Sequence, residues 1–536
     1  MRCYRLAFCC TSLLVAWALP RVVSGQPLEQ QQQQPAEASA DGLASDEWRP
    51  SDDERLAPHH VRSFLEMGAG LTLGTTGYWL FKDANAIDWD NPSAKGRFDG
   101  SAWVFDNNPL NVNFLGHPLW GSLSYSFARA NHQSVLGSFG YAFLTSFIWE
   151  FALEFKEKVS FNDVMVTPTT GVPLGEFFYK LGMYLDTGEG SSVAVDVARW
   201  VLGTGVAVDR TWDGRAKPRV RSRDNLGFSR AIWHRFELEY GVLAVQSPGI
   251  ATYARYYGAL SARLVTLPGY LAPRTFGRAF FAAEMADFSI GLEGSGYGSG
   301  LALSADTTLA GYHEQRLMGP RGRLRGHAIT LGSSVGYRYF RSSANRYGSV
   351  EQAAALPEPN VKYHQANRRE QYAALDLPGL IADAYWLWGS GGAELSARLQ
   401  PSFGGLMASA FYDFSAENPN QIGKHILHSQ GYFYGWGPSS SLDARLSLGP
   451  LRGRFRLLYA AYDSQQGLDR HPEQVTDDEP AWGDVLFYSG SLAIAPGNGR
   501  VSVGLEGGVR RFRSEVGHFE RSARSEQAGV TATWTF

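Results

Sequence analysis

Apolar and polar residues alternate with a period of two along most of the second half of the chain. In the last run Ala528, Val530, Ala532, Trp534 and Phe536 fall on one face, and Gln527, Gly529, Thr531, Thr533 and Thr535 on the other. Ile329, Leu331, Val335, Tyr337 and Tyr339 likewise oppose Ala328, Thr330, Gly332, Ser334, Gly336 and Arg338. Comparable runs cover Leu442 to Leu448, Phe455 to Ala461 and Val501 to Val509, and recur near Phe236, Leu260, Phe281, Leu301, Tyr385, Leu399, Met407 and Leu492. An apolar face backed by a small, polar one suits a strand between hydrocarbon and a wet interior. About 12 such runs predict a transmembrane antiparallel β-barrel over 211–536. The turn-rich, polar stretches Arg341 to Arg369, Ser415 to Gln430 and Asp463 to Ala481 read as its long loops. Further upstream, Leu65, Met67, Ala69, Leu71 and Leu73 oppose Glu66, Gly68, Gly70, Thr72 and Gly74. That alternation predicts a first strand and loop over 61–115, since glycines are costly inside a helix.

Between 116 and 210 the period changes. Pro118 to Ala130 and Gln133 to Lys156 lack alternation and read as two helices joined at Asn131-His132, with Pro118 suited to a first turn. Val135 to Trp149 carries no charge, and Gly137 and Gly140 stand where a second backbone could approach. Ser160 and Asp163 fit an N-cap for a short third helix. After the turn-like Thr167-Pro168 and Gly171-Val-Pro-Leu-Gly175, a fourth helix is expected over about Glu176 to Leu185, and another over Val193 to Leu202. This is a helical insertion or plug N-terminal to the barrel. Its uncharged second helix is expected to pack on or inside the barrel.

The two ends add a destination. Arg2 and Arg5, the apolar stretch Leu6 to Leu19 and Val23-Ser24-Gly25 form a secretory leader over 1–25. All three cysteines (Cys3, Cys9 and Cys10) lie in it, which excludes disulfides and thiolate chemistry from the rest of the chain. Residues 26–60 hold Gln30 to Gln34 and no periodicity, the composition of a disordered tail. Lys and Arg number 49 against 52 Asp and Glu, a net charge of −3, and losing Arg2, Arg5 and Arg21 with the leader makes it −6. A nucleic-acid binder would be basic, so none is expected as a partner. Sixty glycines and 13 % aromatic residues suit close strands and interfacial girdles.

Two resemblances sharpen this. A final strand closed by Trp534 and Phe536 resembles the assembly signal of bacterial outer-membrane barrels. It implies outer-membrane lipid, lipopolysaccharide and the barrel-assembly machinery as partners. The motifs Gly116-His117-Pro118, Trp149-Glu150, Glu154, Asp163, Thr167-Pro168, Gly171 and Gly175-Glu176, in that order, resemble the domain of unknown function 3943 family over 107–185. The resemblance implies a place in the cell envelope and brings no activity with it.

Candidate chemistry concentrates in the same motifs. His117, Glu150, Glu154, Asp163 and Glu176 are the few polar residues of the block that can converge on a metal or an acid/base pair. The plainer expectation is that they cap helices and pair with Arg129 or Lys156, with His117 near Glu150 and Glu176 opening its own helix. Several serines surround them without a nucleophile elbow, and Gly291 to Gly300 reads as a β-turn without a phosphate-binding lysine. Arg452, Arg454 and Arg456 alternate as lumen-facing basic residues, as do Arg321, Arg323 and Arg325. No cofactor is indicated. About 12 strands are too few for a plugged 22-stranded transporter. The reading that follows is an envelope protein of structural or assembly role. A lipid-modifying or metal-dependent enzyme at the acidic/His cluster, and a small-solute pore, stand as alternatives.

Overall fold

In the computed structural model the described residues are 50, 56–80, 91–106, 108–188, 192–220, 222–247, 250–296, 298–320, 323–343, 369–417, 431–465, 480–497 and 499–536. The leader, the Gln-rich stretch, Arg321 and most of the three long loops lie outside them.

The alternating runs become β3 Trp233–Ser247, β4 Ile250–Val265, β5 Thr275–Phe280, β6 Met285–Ser295, β7 Gly298–Met318, β8 Arg325–Ser343, β9 Arg369–Trp388, β10 Gly391–Met407, β11 Tyr432–Leu448, β12 Leu451–Ser464, β13 Ala481–Ile494, β14 Val501–Val516 and β15 Phe519–Thr535. All pair antiparallel with their neighbours in a ring. β5 and β6 bond in succession to one long β7 and count as one interrupted strand, so the sheet is a closed 12-strand barrel. The seam is β15 against β3, from Glu526 opposite Gln246 to Thr535 opposite Glu237. There the Phe536 N–H donates to the Phe236 carbonyl at 2.9 Å. The Gly291 to Gly300 stretch is the tight β6–β7 hairpin, with Ser295 opposite Gly298. The links between Ser343 and Arg369, Met407 and Tyr432, and Ser464 and Ala481 all leave one rim. The opposite rim carries the tight Trp388–Gly391 and Leu448–Leu451 turns.

Among the described residues seven helices lie ahead of the barrel: α1 His60–Leu80, α2 Ala94–Asp99, α3 His117–Ala130, α4 Val135–Ile148, α5 Phe161–Asp186, α6 Val193–Leu202 and α7 Thr204–Trp212. A two-residue parallel ladder, β1 Trp103–Val104 with β2 Val159–Ser160, ties the block's loops together. Three expectations are corrected. Where alternation predicts a strand, α1 is a helix, because its glycines admit indole rings. A Cβ on Gly70 would lie 3.3 Å from the Trp120 ring, and one on Gly74 2.8 Å from the Trp149 ring. The expected third and fourth helices are one, α5, which runs through Pro168 and Pro173. An internal proline costs a helix about 3 kcal/mol. Here nearly every residue is buried, and Thr169 and Thr170 donate to the carbonyls of Met165 and Val166. Third, Gly140 of α4 faces open space and Gly137 meets only its own cap. The close backbone contacts belong to other glycines. A Cβ on Gly171 would lie 2.7 Å from the Gly121 carbonyl oxygen, and one on Gly175 2.8 Å from that of Ser122. Small residues therefore bring α3 against α5.

The block sits outside the barrel. Strand parity separates Glu237, Asp287, Arg338, Asp383, Arg398 and Arg454, which point inward, from Phe288, Leu303, Tyr337, Phe403 and Tyr434, which point outward. It is the outward set that meets the helices. Phe177 stacks on Phe288 at 4.7 Å, Phe105 on Tyr434 at 4.8 Å, and Tyr337 donates its hydroxyl to the Phe114 carbonyl. Helix α5 descends this wall from the long-loop rim, where Val166 joins Tyr432 and Phe403, to the short-turn rim, where Tyr184 joins Phe228 and Ile232.

Each mouth of the lumen holds an apolar plug. At the long-loop rim the helix α8 Phe411–Glu417 folds inward, burying Phe411 and Phe414 among Phe340, Tyr372 and Phe512. At the other rim the segment after β4 buries Leu267 and Tyr270 against Ala328, Leu317 and Tyr385. Between the plugs a cavity of about 450 Å³ is crossed by ion pairs, among them Arg235 to Glu394 at 2.6 Å and Arg398 to Asp287 at 2.8 Å.

Candidate functional site

Three helix ends meet just inside the long-loop half of the block. Helix α3 begins at His117 with Pro118 in its first turn, directly after a π-type turn, Val112–Gly116, that carries Asn113. Helix α4 runs into a second π-type turn, Trp149–Leu153, whose wider winding sets Glu150 inward. Helix α5 is capped by Ser160, whose hydroxyl accepts the Asp163 N–H at 3.2 Å. The Ser160 N–H in turn donates to Glu150 Oε2 at 3.2 Å. The sequence singled out this cap correctly, on a longer helix than expected.

These ends bring His117, Glu150 and Asp163 together, with one ligand atom from each lying within 4.8 Å of the others. His117 Nε2 is 3.5 Å from Asp163 Oδ2, and its Nδ1 is 3.3 Å from the Thr167 hydroxyl. Glu150 and Asp163 are almost wholly buried. A third acid, Asp106, adjoins them; Asn113 and Asn162 donate to its Oδ1 at 2.6 and 3.0 Å, and Asn162 donates to Asp163 Oδ1 at 2.9 Å. The barrel wall supplies the roof. Asn113 Nδ2 lies 2.5 Å from the Tyr434 hydroxyl and 3.1 Å from that of Tyr432, which donates to the Asn108 carbonyl at 2.7 Å. Asp106, Asn113 and Asn162 were not singled out from sequence. The cue was their place beside the matched motifs, in stretches that read as loop or cap.

The other two candidates lie elsewhere. Glu154 follows the π-type turn and stands outside the triad, with its carbonyl held by Arg97 at 2.9 Å. Glu176 does not open a helix. It sits in the middle of α5, fully buried, and accepts from Arg129 at 2.8 Å, Lys180 at 2.5 Å and the Tyr125 hydroxyl at 2.8 Å. A second convergent group, His59, His132 and Asp209, lies at the short-turn end. Asp209 there is already bonded by Arg62 and Arg215.

In the lumen Arg454 pairs with Asp443 at 2.6 Å and Arg456 with Glu506 at 2.9 Å. Arg452 stays at the rim, donating to the Gly449 and Leu451 carbonyls. Arg323 and Arg325 flank the tight β7–β8 turn at the same rim.

No curated protein matches the chain. Among solved structures it is similar to the translocator domain of the autotransporter NalP from Neisseria meningitidis at 11 % identity, covering 62 % of this chain and 95 % of that one, with a TM-score of 0.20. The toluene transporter TodX of Pseudomonas putida is 9 % identical over 56 % of this chain and 88 % of that one, with a TM-score of 0.19. OccK8 (OprE) of Pseudomonas aeruginosa is 10 % identical over 57 % and 98 %, with a TM-score of 0.15. Likeness at that level bears on nothing that this chain binds or moves. Residues 102–204, which hold the whole cluster, match the family described as domain of unknown function (DUF3943), and the helical block of this chain carries that domain.

Proposed function

We propose that this is an outer-membrane protein of the bacterial envelope with a structural role. In this reading the barrel is a closed anchor, and the helical block lies in the lipid layer against its outer wall. The observation that carries the reading is the polarity of the block. Helix α4 buries Ser138, Ala142, Thr145 and Ser146, and leaves Leu136 and Phe143 exposed, with Phe143 stacked on the half-buried Phe147. Val135–Leu153 is long and apolar enough to cross a membrane. Leu73, Leu119, Leu123 and Trp200 add to the exposed apolar surface, and the barrel exposes Leu331, Leu380 and Leu399 likewise. In water such a surface would drive aggregation, whereas in hydrocarbon it is neutral. The 26 residues of α5 give about 39 Å, enough to cross a core of about 30 Å at a tilt. Long loops mark the extracellular rim and tight turns the periplasmic one. The acidic cluster then faces the outer leaflet, where lipopolysaccharide resides.

No cysteine follows Cys10, so single nitroxide labels report cleanly. In reconstituted bilayers a label at Leu73→Cys is expected to be open to oxygen and closed to a water-soluble nickel complex. One at Ser138→Cys should be closed to both. Nickel access at Leu73 equal to that of a soluble control would end the lipid-embedded reading.

Assembly belongs to the same proposal. Trp534 and Phe536 close the seam strand, and the barrel-assembly machinery is the partner that would read them. Deleting Phe536 should leave the protein periplasmic or degraded. Normal yield of a heat-modifiable barrel in the outer-membrane fraction would refute that role.

A further inference from the structure

We infer that His117, Glu150 and Asp163 bind one divalent metal ion of the zinc class. The argument begins with how this block treats buried carboxylates elsewhere. Glu176 is given Arg129 and Lys180; Asp186 is given Arg199 and Arg210; Asp209 is given Arg62 and Arg215. Each has two cations. Asp106, Glu150 and Asp163 stand together in the same block, and among the described residues the His117 imidazole is the only basic side chain in ion-pair reach of any of them. The nearest guanidinium, Arg97, is spent on the carbonyls of Glu150, Phe151, Glu154 and Glu157. Three carboxylates removed from water against one imidazole need either protons or a further positive charge, and a bound cation supplies the latter.

A second observation points to a bound group. Asn113 is fully buried beside Asp106, and its Oδ1 has no hydrogen-bond partner among the described residues. A buried amide oxygen left so is destabilising, unless a cation or its water is there to meet it. The donor set decides the class of ion. One imidazole nitrogen and two carboxylates within 4.8 Å of one another suit an ion with ligand distances of about 2.0–2.3 Å. Calcium prefers six to eight oxygens, so the imidazole argues against it. Three protein ligands leave a coordination position for water. Asp106, Asn162 and Thr167 would orient the ligands from behind. The ion would join the ends of α3, α4 and α5 at the level where the block meets Tyr432 and Tyr434.

The test uses the purified full chain in detergent, stripped with a chelator, and does not depend on where the protein resides. Zinc titrated by calorimetry should bind with a stoichiometry of one, and cobalt should give the absorption of a tetrahedral or five-coordinate site. His117→Gln, Glu150→Gln and Asp163→Asn should each weaken zinc at least tenfold, while Glu314→Gln at the exposed rim should not. Asp163→Asn carries the distinguishing signature. It should melt higher than the parent in chelator, because repulsion is relieved, and lower than the parent in zinc. Failure of the parent to bind zinc stoichiometrically overturns the inference. So does binding that survives both His117→Gln and Glu150→Gln, or binding of calcium alone. A variant that melts lower than the parent with and without zinc alike would mark a purely structural cap and overturn it too.

Discussion

Replacing Glu176 by alanine is expected to cost the helical block about 3–5 kcal/mol, the largest effect foreseen for any single side chain here. The carboxylate is fully buried in mid-helix, and its loss strands the Lys180 ammonium and the Arg129 guanidinium away from water. The cost arises from the charges left behind more than from the bond removed. A triple replacement, Glu176→Leu with Arg129→Met and Lys180→Leu, should therefore recover much of it. The readout is limited proteolysis of α3 to α7 alongside the heat-modifiable mobility of the barrel. The single variant should lose protection in the helices while the barrel keeps its shift. Equal protection of parent and single variant would contradict the argument.

The second large effect concerns the lumen. The purified protein should give no steady current in planar bilayers, because each mouth has its own apolar plug and the space between is bridged by ion pairs. Replacing 409–417 by a glycine-serine linker removes Phe411 and Phe414. Replacing 267–273 removes Leu267 and Tyr270. Either change alone should leave the barrel closed, and the two together should produce discrete current steps. Steady conductance from the parent would revive the small-solute pore.

Alternation made the barrel legible because each strand has two solvents, and a period-two pattern records both. The turn at Gly291 to Gly300 and the strand number followed from it, whereas the pairing of β15 with β3 came only from the structure. The same cue misled at α1, where Gly68, Gly70 and Gly74 mimic a small strand face. Nothing local reveals that Trp120 and Trp149, far along the chain, lie over those glycines. Pro168 and Pro173 misled in the opposite sense, since burial on nearly every side outweighed two local penalties. That error also displaced Glu176, whose role is set by Arg129 from another helix. Of the acidic cluster, His117, Glu150 and Asp163 could be named from residue type and helix spacing. Asp106, Asn113 and the two roofing tyrosines could not, because their convergence depends on which side of the wall the block occupies.

The outside position of the block also sets an order of events. Its helices contact one another over a contiguous stretch, and Arg62 near the start bonds Asp209 and Asp213 near the end. It can therefore gather early, as local contacts form quickly. The wall it needs is built from β6, β7, β8, β10 and β11, all of which follow the block in sequence. Leu73, Leu123 and Trp200 stay exposed even with that wall in place, and until they reach lipid nothing in the fold covers them. If the chain is exported as proposed, it is expected to need a holding chaperone in the aqueous compartment it crosses. Crosslinkers placed at those three positions should trap the chaperone before the barrel becomes heat-modifiable and release it afterwards.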